Sequence, residues 1–341
     1  MQRNIKDLTL EELTSYFKEK GLPAFRAKQC FKWLSMGVSS FDEMTDLKKD
    51  LRQELSEDFF ISVPEIVKKQ VSSDKTVKYL FKNYDGTYIE TVVMTYKHGI
   101  SACLSTQVGC NMGCKFCAST IGGKERDLTA GEILDQIIFA GKDLGVRISH
   151  IVLMGMGEPL DNYENVINFL RNVGNPEGLN LSYRHISLST CGLCDKIDML
   201  REEKLPITLS VSLHAPNNKK RNEIMPVNKK YPIEVLIKTL KEYIKVTGRR
   251  ISFEYTLIKG FNDSYEDAKE LASLLKGMLA HVNLIPVNEV TETGFKKPEN
   301  VNKFKDTLIK LGINATVRRE LGSDIDAACG QLRKKTENKK G

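Results

Sequence analysis

No stretch of this sequence is apolar over the length a bilayer-spanning helix needs, and no basic start followed by an apolar run marks a leader. Those absences argue against a membrane partner and lead us to expect a chain that stays in the cytoplasm, where it is made. Solenoid-type repeats and low-complexity tracts are also missing, which removes stacked arrays and disordered chains from the candidates. Eight cysteines in 341 residues, without an export signal, do not make a stapling framework and read instead as metal ligands or reactive thiols. With 41% apolar residues the chain can bury one large core and a smaller accessory unit.

What is present is basic. The formal net charge is +7, and residues 219–250 alone hold ten Lys and Arg against three Glu. The last nine residues add five cations against Glu337. Such blocks suit a polyanion such as nucleic acid, through phosphate contacts and counterion release, although a solvated helix face with a basic tail carries the same signature.

Periodicity divides the chain into three. Thr9 and Glu12 form a capping box, Leu10, Leu13 and Phe17 recur at helical spacing, and a second helix follows Pro23 with Ala27, Phe31 and Leu34 on one side. With further helical patterning through 41–59, residues 1–62 read as a helical accessory domain. Over 63–97 the period changes, because 76–81 and 87–94 alternate around Asp85-Gly86 and predict a β-hairpin extension. From 98 to 341, β-rich runs at 100–106, 148–154, 185–190, 207–213, 251–257, 281–286 and 313–317 alternate with amphipathic stretches such as 129–144 and 264–279. Repeated βα units mean a parallel sheet, and six or seven are fewer than a closed eight-fold barrel needs. The predicted fold is α/β, an open, partial (β/α)6-type barrel with its ligands at the carboxyl ends of the strands.

The sharpest motif follows the first barrel strand: Cys110, Cys114 and Cys117 in C-x3-C-x2-C spacing. Three thiolates this close wrap one [4Fe–4S] cluster and leave its fourth iron open, where S-adenosylmethionine (SAM) can chelate and be cleaved to a radical. Zinc would prefer four ligands in paired spacing. Phe116, between the last two cysteines, suits either bound adenine or the core. Residues 154–160, Met-Gly-Met-Gly-Glu-Pro-Leu, follow an apolar strand; the glycines allow close backbone approach and Glu158 can accept from a ligand ammonium. Ser189-Thr190, Ser212-Leu213-His214 and Asn288 end the next strands, as a bound nucleoside would require. His214 reads equally as a satisfied structural histidine. By spacing alone, Cys103 and Cys329 are buried thiols without a task.

Taken together, these motifs resemble the RlmN/Cfr family of radical SAM RNA methyltransferases. The likeness covers nearly the whole chain and is carried by 23–29 (Pro-Ala-Phe-Arg-Ala-Lys-Gln), 105–110 (Ser-Thr-Gln-Val-Gly-Cys), 154–160, 212–215 (Ser-Leu-His-Ala) and 326–331 (Asp-Ala-Ala-Cys-Gly-Gln). It implies a radical SAM barrel with one [4Fe–4S] cluster on Cys110, Cys114 and Cys117, and SAM, two per turnover, against Gly157, Glu158, Ser189, Ser212, Leu213, His214 and Asn288. It implies further that Cys329 carries the methyl group, that Cys103 resolves it through a disulfide, and that Glu90 is a proton acceptor. Pattern alone reads Glu90 as an exposed strand residue. The implied product is an adenine methylated at carbon 2 in 23S ribosomal RNA and in tRNA, Pro159 leaning toward this class rather than the carbon-8 class of Cfr. Implied partners are RNA, an electron donor such as flavodoxin or ferredoxin, and a thiol reductant, acting on a monomer. A more distant reading, a radical SAM oxidoreductase or activase acting on protein, needs neither Cys103 nor Cys329. An iron–sulfur protein that only binds RNA would hold a cluster without cleaving SAM. Cys191 and Cys194 depart from the family pattern, and they read as small apolar packing residues or as a second metal or thiol relay.

Overall fold

The computed structural model describes residues 2–288 and 294–332, so the basic stretch 333–341 lies outside the described residues. Helix α1 (Leu10–Glu19) starts at the Thr9–Glu12 capping box with both reciprocal hydrogen bonds made. With α2 (Ala24–Ser35) and α3 (Lys49–Asp58) it buries Leu13, Phe17, Ala27, Phe31, Leu34 and Leu55 in a core of its own. Cys30 belongs to that core, its thiol against the Met44 sulfur.

Ten strands then form one sheet whose spatial order is the order of the chain. They are β1 (Glu65–Val71), β2 (Val77–Lys82), β3 (Tyr88–Tyr96), β4 (Gly99–Cys103), β5 (His150–Leu153), β6 (Ile186–Thr190), β7 (Thr208–Ser212), β8 (Ile251–Leu257), β9 (Ala280–Pro286) and β10 (Ala315–Val317). From β4 to β10 every neighbouring pair is parallel. The crossovers carry α4 (Ala130–Leu144), α5 (Tyr163–Gly174), α6 (Cys194–Glu202), α7 (Asn218–Ile224), α8 (Ile233–Thr247), α9 (Tyr265–Leu275) and α10 (Val301–Lys310). Parallel strands in such a sheet are covered on both faces and read as apolar runs, as in Phe253, Tyr255 and Leu257 of β8, all fully buried. Helix α4 shows how punctuation sets the frame. A Thr129–Glu132 capping box opens it, and Gly145, left-handed at φ 64°, closes it.

The β2–β3 hairpin forms around Asp85-Gly86 as its alternation predicts, but it is no appendage. β1 to β4 are antiparallel and run directly into the parallel strands, so the extension is part of the same sheet. The helix expected over 264–279 stops at Leu275, because Gly277 turns the chain at φ 77°. Among the described residues no helix is long and apolar enough to cross a membrane.

Before α1, Lys6 reaches into the barrel. Its ammonium lies 2.6 Å from Asp135 Oδ1 on α4 and donates to the Ser62 carbonyl, and both charged side chains are shut off from solvent. Removing one member of a buried pair strands the other charge, which costs about 3–5 kcal/mol, whereas replacing both by apolar groups is far cheaper. Lys6→Met should therefore lower the denaturant midpoint by that order, and Lys6→Met/Asp135→Leu should recover most of it; equal midpoints for the two variants would contradict this account.

Candidate active site

The carboxyl ends of β4 to β10 surround one open cleft with about 960 Å³ of empty space. The loop after β4 brings Cys110, Cys114 and Cys117 to it, the loop after β5 brings Gly157 and Glu158, and Ser189, Ser212, His214 and Asn288 follow from successive strand ends. Of the residues expected to touch SAM, only Leu213 is set apart. Its side chain is fully buried in the main core and its amide donates to the Glu254 carbonyl. Gly157 sits at φ 102°, and a Cβ there would meet Gln107 side-chain atoms at 2.6 Å. Only glycine lets this loop lie so close to its neighbour.

Glu158 is nearly enclosed and accepts from the Cys191 amide at 2.7 Å and the Leu160 amide at 3.0 Å. Burial raises its pKa and these bonds oppose the rise, so part of its acceptor capacity already goes to the backbone. His214 is left-handed at φ 57°, and its Nδ1 accepts from the Thr256 amide, which leaves any proton on Nε2. Burial, with the Arg221 charge next, lowers its pKa to about 3, so the ring is neutral near pH 7. Phe116 both lines the cleft and packs edge-on against His214 at 4.6 Å.

The cluster cysteines are thiols in low-dielectric surroundings. Burial pushes Cys110 up to about 12 and Cys114 well above its ordinary value. Among the described residues no three His, Cys, Asp or Glu side chains converge on a single-ion site. A cubane does not ask for that, since each of its thiolates binds a different iron. Three thiols lining one cleft fit an iron–sulfur cluster.

A second cavity, about 630 Å³ of empty space, adjoins the cleft and is lined by Val92, Met94, Cys103, Arg318 and Cys329. Cys329 is exposed and lines both cavities, and its carbonyl accepts from Asn288 Nδ2 at 2.8 Å. Cys103 is pushed up to about 12 by burial and then by Cys329. All eight cysteines are free thiols. Glu90 corrects the surface reading. It lies on the same face of β3 as Val92 and Met94, is 1% exposed, and pairs with Lys78 at 3.6 Å. Cys191 lines the cleft beside Cys114, while Cys194 at the start of α6 is packed in the main core.

Two arginines escaped the sequence reading. Arg221, one of the ten cations of 219–250, is fully buried and donates to the Cys191, Ser212 and Leu213 carbonyls and to Asn228 Oδ1. It ties the ends of β6 and β7 together and faces no polyanion. From the same block Lys220 pairs with Asp267 and Arg249 donates to the Ile207 carbonyl, leaving Lys219, Lys229, Lys230, Lys238, Lys241, Lys245 and Arg250 exposed. Nothing in a basic run distinguishes the buried member. Arg318, just after β10, lines both cavities. Burial alone would lower its pKa, but Cys329, Glu254 and Cys103 around it raise it on balance, and the guanidinium stays charged.

The comparisons fall on this geometry. The family model of the radical SAM superfamily matches residues 104–274, from the end of β4 through α9, which sets the class. A model described as the ribosomal RNA large subunit methyltransferase N-terminal domain matches 3–61. A probable dual-specificity RNA methyltransferase RlmN from Alkaliphilus oremlandii is 56% identical over 97% of this chain and 98% of its own, and its counterpart from Clostridium novyi is 52% identical over the same shares. The crystal structure of a radical SAM methyltransferase from Sphaerobacter thermophilus superposes with a TM-score of 0.91 at 44% identity, covering 97% of this chain and 99% of that one. The chain belongs to the RlmN family.

Arg221→Met leaves three strand-end carbonyls without their donor, and each unsatisfied group costs about 1–3 kcal/mol. We expect a loss of at least about 3 kcal/mol in chemical denaturation, against less than about 0.5 kcal/mol for Lys241→Met on the exposed face of α8. Similar losses for the two would return Arg221 to the surface cations.

Proposed function

We propose that this radical SAM RNA methyltransferase methylates carbon 2 of an adenine in 23S ribosomal RNA and in tRNA through a methylated cysteine and a covalent protein–RNA adduct. The observation that supports the reading is the position of Cys329, which lines the cleft of the cluster cysteines and also the cavity of Cys103. One residue can thus visit a methyl donor on one side and a resolving thiol on the other.

Cys110, Cys114 and Cys117 would hold the [4Fe–4S] cluster, which when bound supplies the electron that cleaves SAM to a 5′-deoxyadenosyl radical. An adenine ring carbon is too electron-poor to attack a sulfonium methyl, so the protein interposes a better nucleophile. The Cys329 thiolate takes a methyl from one SAM by displacement, and Arg318 lines the same two cavities. The S-methyl group then gives a hydrogen atom to the radical made from a second SAM, and its methylene carbon adds to the ring. One electron is then lost to a one-electron acceptor, a capacity the oxidised cluster would supply when bound, and the ring proton is lost to Glu90 as the base. Cys103 attacks the Cys329 sulfur, the carbon–sulfur bond breaks with its electron pair left on the RNA carbon, and that carbon takes a proton to become methyl. The product disulfide is transient and is reset by an external thiol.

Nucleosides from RNA treated with the reconstituted protein should contain 2-methyladenosine; 8-methyladenosine in its place would assign the Cfr-type reaction. That protein should bind about four irons per chain, and Ala at Cys110, Cys114 and Cys117 together should abolish both the cluster absorbance and deoxyadenosine formation. SAM cleavage by the triple variant would remove the central claim. The two outlying cysteines should fail at different steps. Cys329→Ala should carry no methyl and couple to no RNA, whereas Cys103→Ala should accumulate a nuclease-sensitive protein–RNA adduct on a denaturing gel. Methylated RNA released by Cys103→Ala at the parental rate would rule out the resolving role.

A further inference from the structure

The barrel is open. β1 and β10 are its two edges, and the sheet order places them at opposite ends. Yet the loop that follows β10 does not stop at its own edge. It crosses to the turn between β1 and β2, where Ser72 Oγ and the Ser73 amide donate to the Asp324 carboxylate and the Gly322 amide donates to Asp74 Oδ2 at 2.9 Å. Although partial burial opposes it, bonds from Thr76 and the Gly322 amide hold the Asp74 carboxyl down at about 2, so the acceptor is ionised at neutral pH. The fit is close: a Cβ on Gly322, left-handed at φ 65°, would meet Thr76 Cγ2 at 2.9 Å and Ala327 Cβ at 2.8 Å. Asp326, a non-glycine residue at φ 51°, is also left-handed. It is three residues before Cys329.

Lys78 closes this contact from beneath. Its buried ammonium donates to the Asp326 carbonyl at 3.0 Å and pairs with the Glu90 carboxylate at 3.6 Å. One cation therefore touches both the backbone that leads to the methyl-carrying cysteine and the carboxylate that accepts the ring proton. Two groups that act on the same adenine in successive steps need a fixed separation, and a shared buried ammonium supplies one.

We propose that Lys78, with the β1–β2 turn, is a clasp across the open side of the barrel, a positioning residue that sets the Cys329 loop and Glu90 relative to each other. The proposal rests on the roles given above to Cys329 and Glu90. Cys329 takes its methyl in the SAM cleft, so Lys78→Met should still carry S-methylcysteine. Its release of methylated RNA should fall by about 100-fold, the weight of a misplaced general base, and an RNA-linked protein should accumulate although both cysteines are intact. Amides of residues 322–328 should exchange with deuterium at least about 10-fold faster, and those of Lys82→Met, half-buried on the same strand, should not.

Parental turnover in Lys78→Met, or a loss of turnover with no trapped adduct, would overturn the positioning role. Should loss of the Lys78 ammonium beside the Glu90 carboxylate prevent folding, Lys78→Met/Glu90→Gln removes the remaining charge, and parental amide protection over 322–328 in the double variant would equally overturn the clasp. A parent protein with no methyl on Cys329 would sink the underlying functional reading instead, while the exchange comparison still decides whether Lys78 holds the loop.

Discussion

A thiol surrounded by protein resists becoming a thiolate, and the cluster binding, methyl transfer and disulfide formation proposed for this site each need one. Burial raises the pKa of Cys103, Cys110, Cys114 and Cys117. What offsets that cost is a cation brought close, because opposite charge favours the ionised form where water cannot. The fold supplies two such cations, each from far along the chain. Arg221 acts on Cys114 and Cys191, and Arg318 on Cys103. Arg221 must also be held, and the carbonyls at the ends of β6 and β7 hold it. The parallel sheet thus does more than present side chains at its carboxyl edge. Its strand-end carbonyls anchor the charge that the sulfur chemistry needs nearby.

How much of this was legible in the sequence depended on how local the signal was. Strand and helix alternation reports itself within ten or fifteen residues, and the seven β-rich runs from residue 98 onward correspond to β4 to β10. The C-x3-C-x2-C run is likewise local, and its three cysteines reach one cleft. Glu90 failed because alternation in an antiparallel strand normally means one wet face, and here the segment after β10 covers that face. Arg221 failed for a related reason. Its neighbours Lys219 and Lys220 have the same composition around them, and only the distant carbonyls of β6 and β7 make it structural. Leu213 was rightly placed at a strand end, but position along a strand does not say which way its side chain points, and it points into the core.

Two buried lysines tie distant parts of the chain together by a similar device. Lys6 ahead of α1 meets Asp135, and Lys78 on β2 meets Glu90, both pairs enclosed and both lysines also donating to a backbone carbonyl, of Ser62 and Asp326 respectively. A buried ion pair adds little net stability, because desolvating the charges consumes most of what their attraction returns. An apolar contact would have joined these segments at lower cost. It would also tolerate sliding, since dispersion is non-directional, whereas a lone ammonium with a carboxylate on one side and a carbonyl on the other is satisfied in one arrangement only. Cys329 lines two cavities, and around it fixed placement is worth more than the stability forgone.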